Sequence, residues 1–357
     1  MSTENFLVVG SYTPPLGSGS GITTFARDAI SGNLLPRSSY SLESPSYVAA
    51  HPALPIVYAV SESEPGVVST FEITPAGQLV LRARTSSGGA GPCHCTVTAD
   101  GARLIVCNYG DGTVAVLPLD RGGVADSPPS VVTRHGSGPD PDRQDASHPH
   151  LSLPREDGTF LVADLGTDEL VRYRPGGTGP ATPAIPVESA ALAPGTGPRQ
   201  VALLPKADPD AGQDESLVVV GELSSVLTVL HHGIRTPVAS RFTMAAAGRN
   251  APSDRRNYPA HVEVTPGGAV IYLSNRGADC VTSFAVEADR LRYVDRVGVG
   301  AWPRHFAVVA AFLYVAAERG DRIDLVRADH RTGLLESLGT VADVASPACV
   351  LPVTVPT

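Results

Sequence analysis

No apolar run in the sequence reaches the length of about 18 residues that a membrane-spanning helix requires. The chain starts Met1-Ser2-Thr3-Glu4-Asn5 and enters an apolar segment at Phe6. This start has neither the cationic segment nor the long apolar segment of a secretory signal. We therefore expect a cytoplasmic protein with no membrane partner.

Cysteine is scarce and irregularly spaced. There are 5 cysteines, an odd number without any Cys-x-x-Cys pair, at Cys93, Cys95, Cys107, Cys280 and Cys349. A disulfide framework typically has an even number of cysteines, and a structural zinc site would need a second pair of ligands near Cys93 and Cys95. We expect reduced thiols, no metal ion and no other cofactor.

Positive charge is also in short supply, with 27 Lys and Arg against 36 Asp and Glu and a net charge of −9. The sequence has no basic footprint for a phosphate backbone, so no nucleic-acid partner is expected. A small anionic substrate is still compatible with this charge, because a few arginines in one cleft can hold an anion. Hydrophobic residues at 42% and charged residues at 18% indicate a globular chain.

One pattern recurs along the chain. A proline opens a short alternating strand, a turn follows, and a second strand rich in Val, Leu and Tyr ends in a polar residue. The six opening prolines are Pro45, Pro92, Pro149, Pro198, Pro259 and Pro303, and the second strands cover residues 56–62, 104–110, 160–166, 217–223, 271–277 and 312–318. Repeats of roughly 45 to 60 residues suit propeller blades of four short strands.

The seventh repeat is divided between the chain ends. Pro347-Ala348-Cys349-Val350 opens like the others, and residues 6–11 resemble the missing second strand. The sequence predicts an all-β fold, a seven-bladed β-propeller closed by pairing N- and C-terminal strands in one blade, as a single domain over residues 1–357. Closure of this kind removes exposed sheet edges. A β-sandwich, the alternative, does not repeat one pattern in this way.

Three stretches depart from the repeat: residues 134–147, 175–197 and 245–257. Each is predicted to be a surface loop. The third carries Arg249, Arg255 and Arg256 and is equally compatible with a loop that overhangs a functional site.

Polar residues are concentrated where two strands of each repeat meet. The start of the first strand lies beside the end of the second in an antiparallel hairpin, and first strands surround the channel. The first-strand residues are His94, His150, Arg199, His261, Arg304 and His305, and the second-strand residues are Glu62, Asn108, Asp164, Glu222, Arg276 and Glu318. So many titratable groups at one mouth predict an active site. Alternatively, Asp164 and Glu318 pair structurally and His94 is a packed core histidine.

Five strings resemble the propeller lactonases of the 6-phosphogluconolactonase type, a family that also contains the fungal 3-carboxy-cis,cis-muconate lactonizing enzyme. The strings are Ser147-His148-Pro149-His150, Ala163-Asp164-Leu165-Gly166, Gly197-Pro198-Arg199, Gly221-Glu222-Leu223 and Ser274-Asn275-Arg276-Gly277. The resemblance implies a seven-bladed propeller with a site of His150, Arg199, Glu222 and Arg276. His148 could replace His150. Gln200, where a histidine is common, and the insertion at residues 206–215 depart from the family pattern.

The resemblance implies a metal-independent lactone hydrolase acting on a small anionic or sugar-lactone substrate. His150 would be a general base toward water, while Arg199 and Arg276 would hold an anion or the oxyanion. Glu222 would orient these groups, or act as base if burial raises its pKa. The predicted substrate-binding residues are His148, Asn108, Asp164, His261, Arg304, His305 and Glu318. Calcium at Asn108, Asp164 and Glu62 remains an alternative.

Two other functions are compatible with the sequence. The same groups could catalyse lactonization of an unsaturated carboxylic acid such as a carboxymuconate, as a cycloisomerase. A non-catalytic interaction scaffold is the second alternative, which the absence of the Trp-Asp dipeptide disfavours. A monomer or weak homodimer is expected.

Overall fold

The computed structural model describes residues 3–176, 182–205, 216–235, 242–245, 255–287 and 290–356. These residues form seven four-stranded antiparallel sheets, here called blades 1 to 7. The predicted insertion at residues 206–215, Arg249 and parts of the second and third departing stretches lie outside the described residues. The prediction of an all-β, seven-bladed propeller is confirmed.

The strands follow the repeat read from the sequence. Blade 1 contains β28 (Pro347–Pro356), β1 (Thr3–Ser11), β2 (Gly21–Arg27) and β3 (Leu34–Ser41); blade 2 contains β4 (Pro45–Ala50), β5 (Ile56–Ser61), β6 (Val67–Ile73) and β7 (Leu79–Ser86). Blade 3 contains β8 (Pro92–Val97), β9 (Arg103–Asn108), β10 (Thr113–Pro118) and β11 (Ser130–Thr133); blade 4 contains β12 (Pro149–Pro154), β13 (Phe160–Asp164), β14 (Glu169–Arg174) and β15 (Ile185–Ala191).

The remaining blades have the same order. Blade 5 contains β16 (Pro198–Leu204), β17 (Ser216–Gly221), β18 (Val226–Ile234) and β19 (Phe242–Ala245); blade 6 contains β20 (Tyr258–Val264), β21 (Val270–Arg276), β22 (Cys280–Glu287) and β23 (Arg290–Gly298). Blade 7 contains β24 (Pro303–Val309), β25 (Phe312–Ala317), β26 (Arg322–Ala328) and β27 (Leu335–Asp343), with a single 3-10 turn at Glu318–Gly320.

Burial explains why the second strands read as continuous apolar runs. Every residue of β5 is buried, whereas β7, the outer strand of the same blade, alternates between half-buried and exposed positions. A second strand is covered on both faces because its blade packs between two neighbours. One such core joins Phe6 of blade 1 to Val57 and Phe71 of blade 2. The apolar core therefore lies between blades and leaves the channel to polar residues.

The ring closes as the sequence predicts. β1 pairs antiparallel with β28, from Thr3 opposite Pro356 to Ser11 opposite Pro347. Blade 1 therefore takes its innermost strand from the C-terminus and its other three from the N-terminus. This pairing leaves no unpaired edge inside the blade that joins the chain ends.

The first strands contact one another in a closed order around the channel, and each contains a bulge near its opening proline. An extra residue at a bulge has no ladder partner, so its side chain is redirected. The residue after the proline, here called the bulge residue, is Ser46, Cys93, His150, Arg199, Ala260, Arg304 or Ala348 in blades 2, 3, 4, 5, 6, 7 and 1, respectively.

The five cysteines are buried free thiols, which agrees with the expected reduced state. Across the part of the chain that the structure describes, no helix has the length and apolarity needed to cross a bilayer.

Candidate active site

A backbone hydrogen bond fixes the residue that follows the second strand in six blades. This residue donates its N–H to the carbonyl of the residue that precedes the first-strand proline. The pairs are Tyr12 to Ser346, Glu62 to Ser44, Tyr109 to Gly91, Leu165 to His148, Glu222 to Gly197 and Glu318 to Trp302. Each residue is thereby held beside a bulge residue, and both sets of side chains converge at one end of the channel.

Glu222 is the centre of the most buried group at this mouth, with 1% of its surface exposed. Its Oε2 accepts hydrogen bonds from Arg199 Nη1 and Arg276 Nη2, each at 2.7 Å. Arg199 comes from the same blade, and Arg276 comes from the next. Both guanidinium groups are also buried. The carboxylate therefore joins two blades through charge-assisted hydrogen bonds.

Arg143 completes this group from outside the repeat. Its Nη2 donates to Glu222 Oε1 at 2.7 Å and to the hydroxyl of Tyr109 at 3.3 Å. The neighbouring Gln144 is fully buried, and its Nε2 donates to the carbonyl of Leu165 at 2.9 Å. The departing stretch at residues 134–147 is therefore anchored over blade 4. Sequence reasoning missed Arg143.

One glycine permits this loop to lie so close to blade 4. A Cβ at Gly166 would be 1.8 Å from the carbonyl oxygen of Ala146, so only glycine fits. Asp164, at the end of β13, secures the same contact by accepting the N–H groups of His148 at 2.8 Å and Gly166 at 3.1 Å. The two residues hold the loop against the blade and position Arg143.

His150 contacts Arg199 directly. Arg199 Nη1 lies 2.5 Å from His150 Nε2. A guanidinium only donates hydrogen bonds, so Nε2 accepts and the ring proton of neutral His150 lies on Nδ1. Nδ1 is buried without a hydrogen-bond partner among the described residues. Burial, followed by the charge of Arg199, lowers the pKa of His150 well below its usual value, so the ring is neutral at pH 7.

Glu222 is ionised. Burial alone would raise its pKa, but Arg276, Arg199 and Arg143 together hold the pKa of this carboxyl well below its usual range. The condition under which Glu222 would act as a base, a raised pKa, is therefore not met. Burial and the neighbouring Arg199 lower the pKa of Arg276 to about 9, which leaves that guanidinium charged at neutral pH.

His148, Asn108 and Asp164, predicted to bind substrate, each form hydrogen bonds with neighbouring protein groups, although the Asn108 Oδ1 atom has no partner among the described residues. His148 Nδ1 lies 2.7 Å from the carbonyl oxygen of Tyr109, and its Nε2 lies 3.0 Å from Asp145 Oδ1. Asn108 is fully buried and donates to the Ser87 carbonyl and the Thr113 hydroxyl. Asp164 accepts from Ser147, His148, Gly166 and Thr167. Of the two candidate histidines, His150 is the one that contacts Arg199.

The opposite side of the mouth, formed by blades 7, 1 and 2, has a different character. Tyr12 donates its hydroxyl to Glu62 Oε2 at 2.7 Å, and Arg304 Nη1 lies 3.4 Å from Glu318 Oε2. The guanidinium carbon of Arg304 lies 5.0 Å from the centre of the Tyr12 ring. We call these four residues the acidic half, and we call Arg143, His150, Arg199, Glu222 and Arg276 the basic half.

Three histidines and a tyrosine form a packed layer of rings on the first strands. His261 and His305 have ring centroids 3.8 Å apart, and Tyr47 contacts His305 at 5.6 Å and His94 at 4.3 Å. His94 Nδ1 accepts the N–H of Ser152 at 3.3 Å. His94 is thus a packed histidine, and His261 and His305, predicted to bind substrate, are buried in the same layer.

Acid should destabilise the protein through its buried neutral histidines. Burial lowers the pKa of His94 to about 3 and also lowers the pKa values of His150 and His305. In the unfolded chain these groups titrate near pH 6.5. The unfolded state therefore binds more protons below about pH 6.5, and the free energy of unfolding falls by up to about 1.4 kcal/mol per histidine per pH unit.

Urea unfolding of the wild type and of His94→Phe between pH 8 and pH 5 measures this effect. The variant should lose stability less steeply below pH 6.5, while replacement of the exposed His135 by Gln should leave the slope unchanged. Equal stability of the wild type at pH 8 and pH 5 would contradict the prediction.

No group of three or more metal-ligating side chains suited to an ion occurs within the described ranges. The basic half instead consists of guanidinium donors, one carboxylate and one neutral imidazole. Its chemistry is anion binding beside a potential proton acceptor.

Sequence and structure comparisons agree with this architecture. A family model described as "Lactonase, 7-bladed beta-propeller" matches residues 6–352. A 6-phosphogluconolactonase from Bacillus subtilis is 30% identical over 355 residues, covering 96% of each chain. A 6-phosphogluconolactonase from Formosa agariphila is 26% identical and covers 93% of this chain and 95% of its own length.

A solved structure has the same fold over the full length. The periplasmic gluconolactonase of Pseudomonas aeruginosa superposes with a TM-score of 0.84 at 26% identity, covering 99% of this chain and 100% of that chain. The match to the family model covers nearly all of the sequence, and the seven blades and their closure agree with it. This chain therefore belongs to the lactonase family of seven-bladed β-propellers.

Proposed function

We propose that this protein hydrolyses the lactone of a phosphorylated sugar acid, of the 6-phosphogluconolactone type, at the basic half of the channel mouth. The observation that carries the proposal is the group of three guanidinium groups around Glu222, in contact with a neutral His150. Its relatives from Bacillus subtilis and Formosa agariphila, both named 6-phosphogluconolactonase, support this substrate class.

The charge of the basic half suits a phosphate monoester. Arg143, Arg199 and Arg276 are cationic and Glu222 is anionic, so two positive charges are not compensated within the group. A phosphate monoester carries about −1.5 to −2 at pH 7. Arg143 is the most exposed of the three guanidinium groups, with 36% of its side chain accessible, and would meet an entering anion first.

His150 is the proposed general base. Its Nε2 lone pair accepts a hydrogen bond from Arg199. A substrate oxygen that takes this guanidinium N–H would free Nε2 for water. Binding of substrate and activation of the base are then linked through Arg199.

The proposed reaction balances as follows. Water gives a proton to His150 Nε2 while its oxygen bonds to the lactone carbonyl carbon, and the carbonyl oxygen becomes an oxyanion facing Arg199 and Arg276. Collapse breaks the bond between that carbon and the ring oxygen. The imidazolium returns its proton to the leaving oxygen. Protein side chains supply base and anion holders, so the proposal requires no metal ion.

Hydrolysis is favoured over lactonization by the protonation states of the site. Lactonization of an unsaturated acid needs a group that delivers a proton to carbon. His150 is neutral because burial and the charge of Arg199 lower its pKa. Glu222 is ionised because the neighbouring arginines lower its pKa against the opposing effect of burial. Neither is an acid at pH 7.

The direct test follows freshly prepared 6-phosphogluconolactone against its spontaneous opening. Wild type should accelerate hydrolysis, and Arg143→Met should lower kcat/KM by about 10- to 100-fold, since a hydrogen bond to a charged group is worth about 1.5–3 kcal/mol. With gluconolactone, which lacks the phosphate, the variant should differ much less from wild type.

Arg121→Met, at an exposed position, is the matched control and should retain full activity. A wild-type rate equal to the spontaneous rate would overturn the proposed function. An equal loss on both lactones would contradict the phosphate-binding role of Arg143.

A further inference from the structure

We infer that the acidic half of the mouth, together with the hydroxyl of Ser46, is a subsite for the hydroxyl groups of a polyhydroxylated substrate. This inference rests on the proposed function for the orientation of the substrate, whose anionic group would occupy the basic half. The two halves of the mouth would then bind opposite ends of one substrate molecule, the basic half its anionic group and the acidic half its hydroxyl groups.

Within the acidic half, blade 7 places an arginine and a glutamate at the same positions as blade 5 does in the basic half. Arg304 is a bulge residue like Arg199, and Glu318 follows the second strand like Glu222. The surroundings differ. Glu222 is bonded by three arginines, whereas among the described residues the carboxylate of Glu318 pairs only with Arg304, at 3.4 Å. Glu318 therefore keeps hydrogen-bonding capacity that Glu222 has lost.

Two carboxylate oxygens are available in the acidic half. Glu62 accepts from Tyr12 through Oε2, and Glu318 accepts from Arg304 through Oε2. Across the described ranges, no donor bonds to Oε1 of either residue. Both side chains are half-buried rather than fully exposed. Such oxygens accept strongly from hydroxyl groups of a ligand because the acceptor is charged.

Ser46 is an independent indication of a ligand. It is the bulge residue of blade 2, at the position that His150, Arg199 and Arg304 occupy in their blades. Only 3% of its surface is exposed, and its hydroxyl has no partner among the described residues. A buried unpaired hydroxyl is costly unless a ligand or water satisfies it.

The space beside Ser46 is not filled by a large bulge residue. The neighbouring blade 1 contributes Ala348, which separates Ser46 from Arg304 around the ring. The bulge positions of blades 1 and 2 therefore contribute only small side chains beneath the acidic half.

The charge of the acidic half selects against a second anionic group. Glu62 and Glu318 outnumber Arg304, which leaves one uncompensated negative charge. Burial, and more weakly Glu62 beside it, raise the pKa of Tyr12 although Arg304 opposes this, so the phenol stays protonated and donates. Neutral hydroxyl groups fit this half, whereas a polycarboxylate would place an anion against two carboxylates.

Calorimetric binding of two open-chain ligands tests the subsite. Glucitol 6-phosphate has one phosphate and a chain of neutral hydroxyl groups, and hexyl phosphate has the same chain and phosphate without the hydroxyls. Glu62→Gln and Glu318→Gln should each weaken glucitol 6-phosphate by about 5-fold, and the double variant by about 20-fold, since a neutral acceptor replaces a charged one. Ser46→Ala should also weaken it.

The hydroxyl-free ligand is the internal control. Its affinity should change by less than about 2-fold in all of these variants, because it makes no contact with the acidic half. The matched protein control is Glu64→Gln, which makes the same substitution at an exposed position two residues from Glu62. It should leave both affinities unchanged.

The outcomes separate the inference from the proposed function. Equal changes for both ligands, no change for either, or no binding by wild type would overturn the hydroxyl subsite. The selective loss of glucitol 6-phosphate affinity supports it, even if wild type fails to hydrolyse the lactone. Lactone hydrolysis without selective loss would retain the proposed function and reject the subsite.

Discussion

His150→Ala should lower kcat/KM for lactone hydrolysis by about 10²- to 10⁴-fold, the usual contribution of a positioned general base. The imidazole Nε2 lies 2.5 Å from Arg199 Nη1 and is the neutral proton acceptor of the basic half. Its removal leaves the three arginines and Glu222 in place, so KM should change much less than kcat. Initial rates corrected for spontaneous opening give both parameters.

The exposed His135 offers a control for this experiment. His135→Ala should match wild type in rate and thermal stability. Thermal unfolding of His150→Ala separates loss of chemistry from loss of folding. Activity within a few-fold of wild type in a folded His150→Ala protein would exclude His150 as the base.

Glu222→Gln should lower the free energy of unfolding by about 3–5 kcal/mol, the range for removal of one partner from a buried charge group. The substitution preserves shape but leaves the guanidinium groups of Arg143, Arg199 and Arg276 without their carboxylate. Arg199 and Arg276 are only 6% and 4% exposed, so water cannot replace it. Urea unfolding measures the loss.

Inorganic phosphate provides a second measurement on the same variant. The anion should restore more stability to Glu222→Gln than to wild type, because the variant has one more uncompensated positive charge. Glu336→Gln removes an exposed partner of Arg327 and should cost less than about 1 kcal/mol. Equal stability of Glu222→Gln and wild type would contradict the buried charge group.

The fold could be predicted from the sequence because each blade repeats the same local pattern. The same pattern predicts blade 4 from Pro149 and residues 160–166 and blade 7 from Pro303 and residues 312–318. The split blade was predictable for the same reason, since residues 6–11 and Pro347 are the two missing parts of one repeat. Position in the repeat also explains why the structure brings His150, Arg199, Glu222 and Arg276 together.

Arg143 could not be predicted from the repeat, because it has no equivalent position in the other blades. Its placement depends on Gln144, Gly166 and Asp164, whose contacts join the loop to blade 4 across the tertiary structure. The one available signal was that a polar loop directly precedes His148 and His150.

The second-strand residues predicted to line the mouth occupy two different positions at the strand ends. Asn108 and Asp164 are the last residues of their strands, whereas Glu62, Glu222 and Glu318 are one residue further along. A shift of one residue turns a side chain to the other face of a strand. The amide nitrogen of Asn108 and the carboxylate of Asp164 therefore bond to the protein, and Tyr109 occupies the position beside the mouth.

The bulge in every first strand has a consequence for how such a protein can change over evolutionary time. An unpaired residue contributes nothing to the ladder, so its replacement leaves the sheet intact. The ring of seven blades has seven such positions, and three of them hold small residues in this protein: Ala260, Ala348 and Ser46. New specificities can arise by exchange at these positions, one blade at a time, while the scaffold that holds them stays constant.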